Sequence, residues 1–178
     1  NYRAAKIELA RQLLRSHTAH PLLIINGDDP ESSHFAALGI ADTRTFHLAS
    51  APSYLAESSL VGDFNKYNIL AAGTLAEALG ISHEIIARAV KKFSGVAGRM
   101  EEVLGAPFRI FVDYAHTPDS LEAVYKSFPG QRKICVLGGT GGGRDSWKRP
   151  VMGEIAGRYC EQIFLTDEDP YDEDPEKI

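Results

Sequence analysis

The feature that most narrows the fold lies between residues 108 and 166, where three short apolar runs alternate with two amphipathic stretches. Residues 108–113, 132–137 and 162–166 carry the β-branched and aromatic side chains of strands. Residues 118–128 and 150–160 have helical spacing, and the first opens on Thr117-Pro118, with Thr as N-cap and Pro at the first helical position. Strand, helix, strand, helix, strand implies parallel pairing with right-handed crossovers. An α/β fold with a mostly parallel sheet is therefore expected, with 108–113 as a buried strand. Residues 113–117 then sit where a strand hands over to a helix, and open α/β sheets bind ligands outside the carboxyl ends of their strands.

The first half is less regular. Residues 2–14 put Ala5, Ile7, Leu9, Ala10, Leu13 and Leu14 on one helical stripe. Residues 21–26 read as a strand, Gly27-Asp28-Asp29-Pro30 as a turn, 31–38 as a helix and 43–48 as a strand. Residues 49–59 are small and polar and are expected to be the least structured part of this half. A helix over 65–79 stops at Gly80, and Ser82 caps another that runs to Phe93. The small, flexible stretch 94–98 is the candidate linker, dividing the chain into residues 1–97 and 98–178.

Charge placement says more than the net charge of −5. Residues 167–178 hold seven acids and one lysine, which leaves a nearly neutral remainder of 18 basic and 17 acidic residues. Without a basic stripe, nucleic acid is not expected as a partner. No run approaches the roughly 18 apolar residues of a membrane span, and no signal peptide is visible. The chain does not begin with methionine, so it is expected to be part of a longer protein. Cys135 and Cys160 lie singly in apolar runs without zinc spacing, and read as buried reduced thiols of a cytoplasmic protein.

Several residues could carry chemistry. The run Gly138-Gly-Thr-Gly-Gly-Gly143 follows a strand, and glycines let backbone N–H groups approach an anion. It is not a P-loop, because no Gly-Lys-Ser/Thr follows, and Arg144 stands where the dinucleotide pattern wants glycine. A flexible loop is the plain reading. Arg144, Asp145, Lys148 and Arg149 beside it favour anion or carboxylate recognition through Arg forks. The acidic stretch 166–175 is either a solvated loop or a surface that reads an ammonium group. Asn65 and Asn68 share a helix face, although Asn65 could simply be an N-cap. Lys6, mid-helix among Ala4, Ala5, Ile7 and Leu9, either snorkels to solvent or, if desolvated, reacts as the free amine. Alone, His116 is a polar loop residue; His17 and His20 read as solvated, and His34, His47 and His83 show no partner signal.

Together these pieces resemble the Mur ligases of bacterial cell-wall synthesis, in particular the branch that adds the third residue of the stem peptide. The matching strings are Tyr2-Arg-Ala-Ala-Lys6, Gly62-Asp-Phe-Asn-Lys-Tyr-Asn68, Gly98-Arg-Met-Glu101, Val112-Asp-Tyr-Ala-His-Thr-Pro118, Arg144-Asp-Ser-Trp-Lys-Arg-Pro150 and the Asp169-Pro170 loop. The resemblance implies the end of the family's central ATPase domain followed by the first part of its Rossmann-like C-terminal domain. It implies an amide ligase that uses ATP and Mg²⁺ and joins a UDP-N-acetylmuramoyl dipeptide to a diamino acid, as a cytoplasmic monomer with no nucleic-acid or membrane partner. By position, Lys6 resembles the family's carbamylated lysine, which helps hold magnesium. Asn65, Asn68, Arg99, Asp113 and Thr117 would lie by the nucleotide, with His116 in the same cleft. Arg144 would grip the carboxylate of the incoming amino acid, and Glu168, Asp169 and Tyr171 would read its side chain.

The chain departs from the family in three ways. It lacks the P-loop and the UDP-binding domain, so no ligase turnover is expected from this piece alone. Residues 48–60 are short for the family. Tyr171 stands where diaminopimelate-adding members carry an arginine, so the acids Glu168 and Asp169 favour a cationic side chain without a far carboxylate, such as lysine. Two alternatives stay open: another Mur-like amide ligase, of folylpolyglutamate synthetase or lipid II amidating type, and a non-catalytic nucleotide-binding remnant.

Overall fold

The computed structural model describes residues 2–17, 20–143 and 145–178. The chain divides into two compact units, one made of Asn1–Leu60 with Phe64–Ser94 and the other of Val61–Asp63 with Gly95–Ile178.

In the first unit, helix α1 (Tyr2–Arg15) leads to strand β1 (Leu22–Asn26), short helix α2 (Ser32–Ala36) and strand β2 (Asp42–Phe46). β1 and β2 pair in parallel, in register from Leu22 opposite Asp42 to Asn26 opposite Phe46. Helices α3 (Asp63–Ala78) and α4 (His83–Lys92) follow. The core gathers Tyr54, Ile69 and Ile86, with Leu55, Leu60 and Val90 packed around them.

Here the expectation for 49–59 is corrected. Leu48–Ser50 and Ser53–Glu57 form 3-10 turns, and Tyr54 is only 1% exposed. One aromatic ring in a polar stretch anchors the segment, because large rings bury far more area than their small neighbours. The ring lies so close to Gly73 of α3 that any Cβ there would collide with it.

In the second unit, β3 (Glu101–Leu104) and β4 (Ile110–Val112) form an antiparallel pair. Helix α5 (Pro118–Lys126), strand β5 (Ile134–Leu137), helix α6 (Lys148–Tyr159) and strand β6 (Gln162–Leu165) follow in the expected alternation. β5 and β6 are parallel, with Ile134 opposite Gln162 and Leu137 opposite Leu165. Leu121 and Tyr125 of α5, Met152, Ile155 and Ala156 of α6, and Cys135 of β5 make the core. Cys160 packs against it, and burial pushes its thiol pKa up to about 11.

Two corrections apply to this unit. β4 is shorter than 108–113 and largely exposed; Phe108 is outside it and open to solvent. Among the described strands β4 pairs with β3, so the local hairpin takes the hydrogen bonds expected for a parallel neighbour. β3 was not foreseen, because Glu101-Glu102-Val103-Leu104 carries no strand periodicity. The start of α5 matches its expectation. Thr117 is the N-cap, Pro118 opens the helix, and Thr117 and Ser120 form a reciprocal capping box. α6 begins two residues ahead of Pro150, a position that the first turn of a helix tolerates. No described helix is long and apolar enough to cross a membrane.

Candidate functional site

The second unit holds a cleft of about 860 Å³ at the carboxyl ends of β4, β5 and β6. Its walls are Asp113 to His116 after β4, Gly138 to Thr140 after β5 and Thr166 to Glu168 after β6. Lys148, Arg149 and Met152 of α6 and the chain end around Ile178 complete it. This is the strand-end location that α/β geometry favours. Asp113, Asp167, Glu168, Asp174 and Glu176 give the lining more carboxylates than cationic groups.

The loops after β5 and β6 are stapled together. The Gly141 N–H donates to the Asp169 carbonyl at 2.8 Å, and the Thr140 hydroxyl to Glu168 at 3.2 Å. Arg149 forks Glu173 at 2.8 and 3.2 Å and also donates to the Thr140 carbonyl at 3.1 Å. The Gly143 N–H donates to the same Glu173 carboxylate. Arg149 first, then this N–H, holds the Glu173 carboxyl below the usual carboxylate range. The glycines have a steric reason. A Cβ at Gly141 would run into the Pro170 carbonyl oxygen, and one at Gly138 would lie 2.9 Å from that of Thr166. Arg149 thus forks a carboxylate of the protein itself, not one expected from a ligand.

Across the cleft, the residues after β4 form a stacked set. The Arg99 guanidinium sits 4.3 Å over the Tyr114 ring, and that ring lies 5.0 Å from the His116 ring. His116 Nδ1 is 3.0 Å from the Tyr114 carbonyl. A carbonyl only accepts, so Nδ1 donates in this contact and Nε2 is left for the cleft. Asp113 accepts the Met100 and Ala115 N–H groups, each at 2.8 Å, which ties the end of β4 to the 98–100 turn. Thr117 is engaged in its capping box. Asp113, His116 and Glu168 thus line one cleft. Asp169 meets the glycine run through its carbonyl, and Tyr171, at a left-handed φ of 52°, lies by Gly142. Arg144 lies outside the described residues. Sequence reasoning missed Tyr114, whose role as platform for Arg99 has no local signal, and Glu173, one acid among seven.

In the first unit, α3 begins at Asp63, so Asn65 falls inside the first turn instead of capping it. Asn68 Nδ2 lies 3.5 Å from Asn65 Oδ1, which keeps the two amides side by side. Lys6 is exposed on α1 with its amine 5.2 Å over the Tyr2 ring, an open setting and not a desolvated one. Asp28, just beyond β1, was overlooked. Its carboxylate accepts the Leu48 N–H at 2.7 Å and the Tyr67 hydroxyl at 3.2 Å, with His47 Nδ1 at 3.0 Å. The Leu48 N–H, then His47, lowers the Asp28 pKa. The histidines without a partner signal in the sequence do have partners: His47 meets Asp28, His83 meets Ser53 at 3.0 Å, and His34 lies 3.6 Å from Glu31. These partners are 19 and 30 residues away for His47 and His83, beyond any local pattern.

The family model for the Mur ligase glutamate ligase domain matches residues 98–178. A UDP-N-acetylmuramoyl-L-alanyl-D-glutamate--2,6-diaminopimelate ligase of Halalkalibacterium halodurans is 36% identical over 203 residues, covering 99% of this chain and 42% of that protein. A solved structure of a ligase with the same name superposes with a TM-score of 0.55 at 28% identity, over 99% of this chain and 42% of the other. A UDP-N-acetylmuramoylalanyl-D-glutamyl-2,6-diaminopimelate--D-alanyl-D-alanyl ligase of Acinetobacter baumannii aligns at a TM-score of 0.65 and 20% identity over 92% of this chain and 41% of its own, a likeness of fold. The chain spans about two-fifths of the length of the curated relatives it matches. The aligned length exceeds the 178 residues here, so the Halalkalibacterium relative carries insertions within the matched span. With that relative matched along nearly all of its residues and the ligase domain covering its second half, the chain belongs to the Mur ligase family.

Proposed function

We propose that this chain supplies the amino-acid-reading surface and part of the nucleotide-holding surface of an ATP-dependent amide ligase of peptidoglycan synthesis. The enzyme would add the third residue to a UDP-N-acetylmuramoyl dipeptide in the cytoplasm. The observation that carries this reading is the cleft at the strand ends, where an acid-rich loop lies against a glycine run. In the reaction, the dipeptide carboxylate attacks the γ-phosphate of ATP to give an acyl phosphate, and the incoming amine displaces phosphate. The acids of the cleft would draw in a diamino acid by its ammonium groups. Arg99 and Asp113 would contact the nucleotide, and His116 would offer Nε2 to the cleft as an acceptor. Arg144 would take the amino acid's carboxylate.

A magnesium ion at such a site would be held mainly by the ATP phosphates and water, with one or two protein ligands. Among the described residues no three His, Cys, Asp or Glu side chains gather to hold one. Lys6, as its carbamate, would contribute a single anionic ligand.

The test is phosphate release by a polypeptide that joins this segment to a phosphate-binding loop, assayed with lysine, ornithine and diaminopimelate. Release that depends on one of them supports the reading. Release indifferent to all three would sink it. Glu168 and Asp169 together with Tyr171 favour lysine among the three.

A further inference from the structure

We propose that Arg149 and Glu173 form a positioning clamp that fixes the loop Glu168–Tyr171 against the glycine run and so sets which diamino acid the cleft prefers. The inference rests on the amino-acid reading above.

Among the described ion pairs this is the least exposed, with side chains 13% and 28% exposed. Solvent-facing pairs contribute little, because water screens them and two long side chains must be ordered. A partly buried fork has a fixed geometry and suffers less screening. Each partner also holds one end of the glycine run. Arg149 takes the Thr140 carbonyl, and Glu173 takes the Gly143 N–H. In the same stretch the Gly141 N–H donates to the Asp169 carbonyl and the Thr140 hydroxyl to Glu168, which lines the cleft. The clamp therefore closes a ring of contacts around the reading loop. Gly141 allows the closure, since any Cβ there would push Pro170 away.

Glu173 and the Thr140 carbonyl take three of the five N–H bonds of Arg149 in this arrangement. Both terminal nitrogens are engaged, and its Nε is buried without an acceptor among the described residues. Glu173 does not line the cleft. Glu173 thus acts through the loop as a positioning residue, and Arg149, which also lines the cleft, holds the loop through its fork to Glu173.

The experiment uses the 178-residue chain and two variants, Arg149→Lys and Glu173→Gln, so that a folding failure in one leaves the other. Lysine keeps the charge and loses the fork; glutamine keeps the shape and loses the charge. The first readout is amide hydrogen exchange without ligand. The amides of Gly141, Gly143 and Glu173 should exchange about tenfold faster or more in both variants, with those of α5 unchanged. The second is NMR titration with L-lysine and with meso-diaminopimelate. The ratio of the two affinities should collapse to within about twofold, an effect that loss of global stability does not produce. Wild-type exchange at these amides, or a wild-type affinity ratio, in either folded variant would overturn the proposal. If the unmodified chain binds neither amino acid, the amino-acid reading falls, and exchange alone decides whether the clamp holds the loop.

Discussion

Tyr54 shows how much one side chain can determine. Its ring fills the first unit's core against Gly73, Ile69 and Ile86, and its hydroxyl is buried without a hydrogen-bond partner among the described residues. Burial, with the nearby Glu77 charge, raises its pKa and keeps it neutral. An orphan buried hydroxyl costs about 1–3 kcal/mol. Tyr54→Phe is thus expected to leave stability unchanged or raise it by about 1 kcal/mol, whereas Tyr54→Ala should lose about 3–5 kcal/mol by opening a cavity. Urea denaturation of both variants measures the difference. A Tyr54→Phe protein that is clearly less stable would show that the hydroxyl has a partner. Gly73→Ala should cost about 1–3 kcal/mol through overpacking. None of this is visible in the local sequence, where Tyr54 sits among Ala, Ser and Pro. Its burial depends on a helix that begins nine residues later.

At the level of elements, two junctions give tests. The capping box at the start of α5 satisfies N–H groups that the helix cannot. Thr117→Ala should cost about 1 kcal/mol, read as a lower denaturation midpoint with an unchanged slope. Asp28 joins the ends of β1 and β2 to the first turns of α3 through Leu48, His47 and Tyr67. Its folded pKa is depressed, so its contribution is complete above the unfolded value, about pH 3.9, and is lost as pH falls through the lower folded value. Hydrogen exchange at the N-terminal turns of α3 should accelerate in that acidic window, and Asp28→Asn should show the faster rate already at neutral pH. An α3 that exchanges identically in both proteins across the range would remove Asp28 from this role. The helices and parallel strands were legible because 3.6-residue and apolar-run patterns are local. β3 was not, since its two glutamates hide a strand that exists only through its pairing with β4.

For the whole molecule, the glycine run makes the sharpest statement. It follows β5 as phosphate loops follow strands, yet no Gly-Lys-Ser/Thr completes it, and its N–H groups are turned to Asp169 and Glu173. The 178-residue chain by itself is expected to release no phosphate from ATP above the buffer rate. A phosphate-release assay checks this, and turnover by the purified chain would mean that another element here holds the triphosphate.

Taken alone, the sequence determined the alternation of α5, β5, α6 and β6, the Thr117 cap, the strand-end place of Asp113 and His116, and kinship with amide ligases. Each is written in short-range periodicity, capping chemistry or a string of adjacent residues. Tertiary structure decided the rest: β4 pairing with β3, Arg149 gripping Glu173, Arg99 stacking on Tyr114, and Asp28 gathering its three donors. The strand pairing joins residues 6 to 11 positions apart and the other contacts residues 15 to 39 apart, and in each case chain geometry, not local preference, selects the partner.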